Sequence, residues 1–230
     1  MRPRDELGVA LVLAMMAVLL LSALGLALAA ATATELMIAA NYRTGQEAFY
    51  AADAGAERAL SELPSVANWD LLFDGALQST FVDGPPSGAR RLADGSPIDL
   101  AEVTNAANCG KKTACSASDL TANPTGDRPW GANNPVWRLY AYGKLTDVAP
   151  GAAASSIFYV AVFVGDDSAE TDGDPLRDGT DPAVNPGSGA VALRAEAFGP
   201  RGAHRVVELT ASRTDTTGAA LKVLSWREVR

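Results

Sequence analysis

The first 63 residues follow one pattern that is compatible with a single long helix. Residues 7–34 form a run of twenty-eight positions without a charge. Because a bilayer core requires about 20 apolar residues, residues 9–33 predict a membrane-spanning helix. The chain then continues without proline until Pro64, which ends the helical pattern. A single helix over residues 9–63 is about 82 Å long at 1.5 Å per residue.

Residues 34–63 predict an amphipathic continuation of the same helix. Small or apolar residues recur there at spacings of three and four, and the stripe they form comprises Ala48, Ala52, Gly55, Ala56, Ala59 and Leu63. Small side chains allow a sheet or another helix to approach closely. Gly45 and Gly55 each weaken a helix by up to about 1 kcal/mol relative to Ala, so both are candidate bend points.

From residue 136 the hydrophobic period changes to two, which predicts strands. The predicted strands cover residues 136–145, 156–164, 190–198, 204–212 and 221–229, with a hairpin turn at 198–203. These segments indicate a four- or five-stranded, mostly antiparallel sheet after a long helix, hence an α+β fold. One face of such a sheet must be covered, and the small-residue stripe is the available cover.

Residues 65–135, between the helix and the sheet, are predicted to be largely irregular. Short helices are expected at 66–77 and at 99–107. The second begins at Asp99, a favourable capping residue that is followed three positions later by Glu102. The Pro- and Gly-rich stretches around these helices predict loops.

Charge and hydropathy together predict the topology and limit the class of partner. Arg2 and Arg4 precede the apolar run, which places the following domain outside the cytoplasm, in the periplasm. A cleaved signal peptide with its site near residues 29–31 is the alternative, but its apolar region is normally about 7–15 residues long. A net charge of −8 and a pI near 4.7 argue against nucleic acid and anionic lipid as partners of the globular part.

The two cysteines and the single histidine argue against a zinc site and against a catalytic triad or Cys–His pair. Cys109 and Cys115 lie close together in an oxidising compartment, which favours a disulfide over two free thiols. Their C-x5-C spacing is not a zinc spacing. His204 is the single histidine and begins a predicted strand, so no catalytic Ser–His–Asp or Cys–His arrangement is indicated. We therefore expect a protein that is not an enzyme.

An acidic cluster between the second and third predicted strands is the one candidate cofactor site. Seven carboxylates fall within sixteen residues, namely Asp166, Asp167, Glu170, Asp172, Asp174, Asp178 and Asp181. The alternation of Glu170, Asp172 and Asp174, with Asp178 four residues on, predicts a Ca²⁺ site, because Ca²⁺ binds six to eight oxygens. The alternative is a solvated acidic loop, since the full EF-hand pattern is missing. No other cofactor is predicted.

The amino-terminal motifs resemble those of a known family. A charged leader, a Gly before the apolar run, NYR at 41–43 and AFYAADAGAE at 48–57 are similar to the start of PilX-type minor pilins of type IV pili. The resemblance implies a pilin-like fold and cleavage by prepilin peptidase between Gly8 and Val9. Residues 1–8 are then the leader, 9–33 the transmembrane half of the helix, 34–63 its amphipathic half and 64–230 the periplasmic globular domain.

The sequence differs from the pattern of most major pilins at one informative position. Most major pilins have Glu as the fifth residue of the mature chain, and Leu13 stands at that position here. The family implies a priming role at or near the pilus tip. Its expected partners are other minor pilins, the major pilin, the inner-membrane assembly platform and a tip adhesin. The alternatives are a K-type pseudopilin of a type II secretion system and a signal-anchored periplasmic binding protein.

Overall fold

The computed structural model describes residues 5–121, 130–150, 155–170, 174–179, 189–214 and 220–229. The chain divides into two units, Met1–Thr44 and Gly45–Arg230. The first unit consists, in its described part, of helix alone. The second contains the remainder of that helix, two sheets and several short helices.

Helix α1, Asp5–Glu62, is the long helix that the sequence predicts. It continues without a break through Gly45 and Gly55, so neither glycine interrupts it. A 3₁₀ turn, Leu63–Ser65, follows directly and contains Pro64. Proline lacks the N–H that a further helical turn would use, which explains why α1 stops here.

The segment between α1 and the main sheet contains more regular structure than its sequence suggests. In chain order its elements are α2 (Asp70–Phe73), β1 (Ala89–Arg91), β2 (Pro97–Asp99), α3 (Leu100–Cys109), α4 (Ala117–Thr121) and a 3₁₀ turn, Gly131–Asn133. The helix expected at 66–77 is only the short α2. The antiparallel β1–β2 pair was not predicted, because strands of three residues give no measurable alternation.

Helix α3 begins as the sequence predicts. The Asp99 carboxylate accepts hydrogen bonds from the backbone N–H groups of Ala101 (2.8 Å) and Glu102 (3.2 Å). These bonds satisfy two of the donors that a helix start leaves unpaired. The helix ends at Cys109 and is capped by Gly110, which adopts φ = 70°, a conformation that glycine reaches without a steric penalty.

The main sheet has five strands in sequence order, and every neighbouring pair is antiparallel. They are β3 (Arg138–Lys144), β4 (Tyr159–Gly165), β5 (Ala190–Phe198), β6 (His204–Arg213) and β7 (Leu221–Val229), with α5 (Leu145–Val148) after β3. The five predicted strands are therefore confirmed, with ends that differ by at most three residues. The outer edge of β3 is covered by residues 79–83, whose backbone bonds to that of β3.

The carboxyl-terminal part of α1 covers one face of this sheet. The main core contains the buried helix residues Ala48, Ala51, Ala52, Ala56, Ala59 and Leu63 together with Val160, Val162, Leu193 and Val207 of the strands. At the closest approach, a Cβ placed on Gly55 would lie 2.5 Å from Val160 Cγ1. A small-residue stripe is thus required because larger side chains would hold the helix away from the strands.

The opposite face of the sheet carries a second, smaller core. Its buried residues are Leu92, Leu100, Ala107, Trp137, Leu139, Tyr142, Tyr159, Ala161, Phe163 and Ala192. They come from β3 to β5, from α3 and from the end of the β1–β2 hairpin. Asn108 of α3 joins this layer to the sheet by exchanging two hydrogen bonds with the backbone of Trp137 (2.9 and 2.8 Å).

Candidate assembly segment and acidic site

The apolar half of α1 leaves its large side chains exposed within its own unit. From Val9 to Ile38 the large apolar side chains are 57–74% exposed, on all sides of the helix. By length and composition this helix can cross a membrane. The hydroxyls of Thr32 and Thr34 bond to backbone carbonyls four residues earlier, both at 3.0 Å, so neither needs a partner outside the helix. A helix that is apolar all round requires lipid or other apolar helices as its surroundings.

The positions singled out near the amino terminus all lie in this helix. Gly8 and Val9 lie in the first two turns of α1, which begins at Asp5. The expected cleavage site is therefore helical in the uncleaved chain. Leu13 lies one turn beyond and is 61% exposed. Its side chain is part of the apolar surface of α1. Cleavage after Gly8 stays a prediction.

Cys109 and Cys115 are joined by a disulfide, with Cα atoms 6.0 Å apart. The bridge connects the end of α3 to the residues before α4. The same loop is held by Lys111, whose ammonium contacts the Asp119 carboxylate at 2.5 Å. That hydrogen bond, with those of the Ser116 backbone and hydroxyl, lowers the pKa of Asp119 to about 2. The loop is therefore a local clamp at the end of α3.

Of the four residues predicted to bind Ca²⁺, the three that the structure describes have different hydrogen-bond partners. Asp172 lies outside the described residues. Asp174 is exposed, and its carboxylate accepts a bond from the backbone N–H two residues on (3.2 Å). Asp178 accepts from the backbone N–H of Gly189 (2.6 Å), while its own N–H donates to Asp70 (2.8 Å). Burial raises the pKa of Asp178 above its ordinary value.

The fourth, Glu170, belongs to a different group of carboxylates. One oxygen each from Asp166, Asp167 and Glu170 lies within 4.8 Å of the others, and all three residues are buried. Asp166 and Asp167 come directly after β4, and the turn that follows brings Glu170 back to them. Burial raises the pKa of Asp167, partly offset by bonds from the backbone amides of Ala169 and Glu170. In the sequence, the feature that could have indicated this group is the pair of adjacent aspartates directly after a buried strand.

A second set of charges, on β5 to β7, includes two buried carboxylates, Glu196 and Glu208, and was missed by sequence reasoning. Arg194 contacts Glu196 and Glu208, each at 2.6 Å, and Glu208 also contacts Arg227. His204 bonds to Glu196 at 2.8 Å. Burial by itself raises the pKa of Glu196, but the His204 bond and the Arg194 charge outweigh it and lower the pKa overall. Pairing with Arg194, His204 and Arg227 accounts for the burial of the Glu196 and Glu208 carboxylates.

An exposed aromatic surface lies where β7 meets α1. Trp226 is 47% exposed, stacks edge-on against Phe49 at 5.6 Å and donates from Nε1 to Asp53 (3.2 Å). Tyr50, whose ring lies 5.4 Å from that of Phe49, is exposed as well, and so is Val223 of β7. Aromatic side chains are enriched in protein interfaces, so this surface is a candidate lateral contact of the globular unit.

Comparison with known proteins identifies the amino-terminal region. Residues 8–57 match the family model described as PilX N-terminal. This match supports a PilX-type pilin, and in general a minor pilin of type IV pili that associates with other pilus components and is anchored by its apolar helix. No curated protein and no solved structure matches the chain. The match lies entirely within α1, so the K-type pseudopilin alternative is not tested by it.

Proposed function

We propose that this protein, whose residues 8–57 carry a PilX N-terminal region, primes assembly of a type IV pilus and occupies its tip. It is not an enzyme. Prepilin peptidase removes residues 1–8, residues 9–33 hold the chain in the inner membrane, and residues 64–230 lie in the periplasm until the subunit enters the filament. Its partners are other minor pilins, the major pilin, the inner-membrane assembly platform and a tip adhesin.

The observation that carries the proposal is the contrast between the two halves of α1. Within the globular unit, the small and apolar side chains of residues 48–63 pack against the sheet and are buried. The apolar residues before Thr44 have no such cover in their own unit. Membrane lipid surrounds these side chains before assembly, and the helices of neighbouring pilins pack against them afterwards. The globular unit then supplies lateral specificity, for which the surface around Trp226 is available.

Leu13 supports the tip assignment on energetic grounds. The pilin resemblance implies that Glu at this position pairs with the amino terminus of the subunit assembled before it. A carboxylate among apolar helices is costly unless it is paired. A subunit that enters first finds no earlier amino terminus, so leucine removes a charge that would remain unpaired.

Leu13→Glu tests this mechanism. On our proposal the variant reduces the number of pili, because its carboxylate has no partner at initiation, while Leu13→Ala leaves the number unchanged. Pili are counted by electron microscopy, and membrane fractionation verifies that each variant reaches the membrane. Leu20→Glu is the control for a carboxylate elsewhere in the apolar segment. Normal piliation by membrane-inserted Leu13→Glu would refute the mechanism.

Location and processing are tested separately. Gold label against residues 65–230 should mark filament ends, and deletion of the gene should reduce pilus number without altering the shaft. Label spread evenly along shafts would overturn the tip assignment. The intact mass of the mature protein should correspond to a chain that begins at Val9. Loss of residues 1–31 instead would indicate an ordinary signal peptide and refute the pilin assignment.

A further inference from the structure

We propose that Asp166, Asp167 and Glu170 bind one Ca²⁺ at the carboxyl end of β4. This site differs from the set expected from sequence spacing and shares only Glu170 with it. It does not depend on the role proposed for the protein in the pilus, because it rests on the geometry of the globular unit alone.

The separation of the three carboxylates fits one shared ion. Ca²⁺ lies about 2.3–2.6 Å from its oxygen ligands, so two ligands of the same ion are at most about 5 Å apart. One oxygen from each of the three residues lies within 4.8 Å of the others. The group consists of carboxylates only, and hard cations such as Ca²⁺ prefer oxygen ligands of this kind.

A buried atom without a partner provides an independent reason to place a cation here. Asp167 is 3% exposed, and its Oδ1 accepts a hydrogen bond from the Ala169 N–H at 2.9 Å. Its Oδ2 is buried and has no hydrogen-bond partner among the described residues. A buried ionised carboxylate is costly without a partner, and a cation would supply both the missing contact and the opposite charge.

The surroundings hold the three carboxylates in place. Asp166 Oδ1 accepts from the Asp167 N–H at 2.9 Å, and Glu170 Oε2 accepts from the Gly179 N–H at 3.1 Å. A Cβ on Gly179 would lie 1.2 Å from Glu170 Oε1, so only glycine leaves room for that carboxylate. An ion bound here would tie the end of β4 to residue 179, next to Asp178, which bonds to the start of β5.

Ca²⁺ is favoured over Mg²⁺ because the site is irregular. Mg²⁺ demands near-ideal octahedral geometry at about 2.0–2.1 Å and keeps most of its water, whereas Ca²⁺ accepts varied geometry and several carboxylates. Two of the three ligands are adjacent in sequence, and the third arrives from a turn, which is an arrangement that does not enforce an octahedron. Waters or carbonyls would complete the coordination.

The test uses the full-length chain in detergent micelles. Wild-type protein should bind one Ca²⁺ by isothermal titration calorimetry. Its melting temperature, followed by tryptophan fluorescence, should be higher in Ca²⁺ than in chelator. At a Ca²⁺ concentration about 100 times the Kd, the expected rise is roughly 5–11 °C for a domain of this size.

Three variants locate the site. Asp167→Asn should abolish the Ca²⁺-dependent rise, and in chelator it should melt at or above the wild-type temperature, because a neutral amide is less costly to bury than a carboxylate. Asp174→Asn, in the same loop but exposed, is the matched control and should keep the full rise. Asp166→Asn provides a second test if Asp167→Asn fails to fold, and it should lose the rise as well.

Three results would overturn the proposal. One is folded wild-type protein that shows neither binding heat nor a change in melting temperature with Ca²⁺. Another is a rise that persists in both Asp167→Asn and Asp166→Asn, or that is lost in Asp174→Asn. The third is an equal response to Mg²⁺, which would reject Ca²⁺ as the preferred ion. Normal pilus phenotypes would not affect the site, since binding is measured directly.

Discussion

Gly55→Ala tests whether the small-residue stripe of α1 exists because the sheet approaches it closely. The change adds one methyl group at a buried helical position. In the structure the added carbon would lie 2.5 Å from Val160 Cγ1 and 3.2 Å from Val162 Cγ2. Both valines belong to β4, the second strand of the sheet, and both are completely buried. Neither can move without disturbing the core.

Two opposing effects determine the magnitude. Alanine is favoured over glycine in a helix by about 1 kcal/mol. Overpacking a tightly packed core costs about 1–3 kcal/mol, and a contact of 2.5 Å against β-branched strand residues belongs at the upper end of that range. We therefore expect Gly55→Ala to lower the free energy of unfolding by about 1–2 kcal/mol, or roughly 2–8 °C in melting temperature.

Gly45→Ala is the matched control on the same helix. Its added carbon would lie 3.0 Å from Nη2 of Arg205, the far end of a flexible and partly exposed side chain that can move away. The helix preference for alanine then dominates, and we expect no loss of stability and a gain of up to about 1 kcal/mol. Tryptophan fluorescence during thermal unfolding is a suitable assay, because all four tryptophans lie in residues 45–230.

Equal stability of Gly55→Ala and Gly45→Ala would refute the close approach of the sheet to α1. A double variant strengthens the test. Val160→Ala removes the methyl group that the new carbon meets, so the loss in Gly55→Ala with Val160→Ala should be smaller than the sum of the two single losses. Strict additivity would show that the two positions do not contact each other as the structure indicates.

Three further predictions concern the globular unit. Replacing Cys109 and Cys115 by Ser should cost about 2 kcal/mol for so short a loop, seen as a lower midpoint in denaturant. Asp99→Ala should cost about 0.5–2 kcal/mol by the same assay, because α3 loses its cap. Glu196, whose pKa lies below 4.5, stabilises the fold above pH 4.5 and loses this contribution as the pH falls through its folded pKa. Glu196→Gln should therefore weaken the pH dependence of the melting temperature below about pH 4.5. The same pH dependence in the variant and the wild type would contradict this role of Glu196.

The local patterns of the sequence determine the elements of this fold. A run of apolar residues long enough for a bilayer and the stripe before Pro64 specify α1, since the first depends only on the length of the run and the second only on the helical period. The alternation after residue 136 specifies the five strands, since a hydrophobic period of two is also a local property of the chain. Asp99 marks the start of α3 because a cap bonds to N–H groups two and three residues away. Such interactions are short in range, so they can be read in sequence order.

Which charged side chains lie together was decided only by the tertiary structure. Spacing groups Glu170 with Asp172 and Asp174 as candidate ligands, and it does not show that the turn after β4 brings Glu170 against Asp166 and Asp167. Arg194 occupies a position that alternation assigns to solvent, yet it is mostly buried, because Glu208 on the neighbouring strand pairs with it. Which charges meet depends on strand register and chain reversal, and a pattern along one segment contains neither.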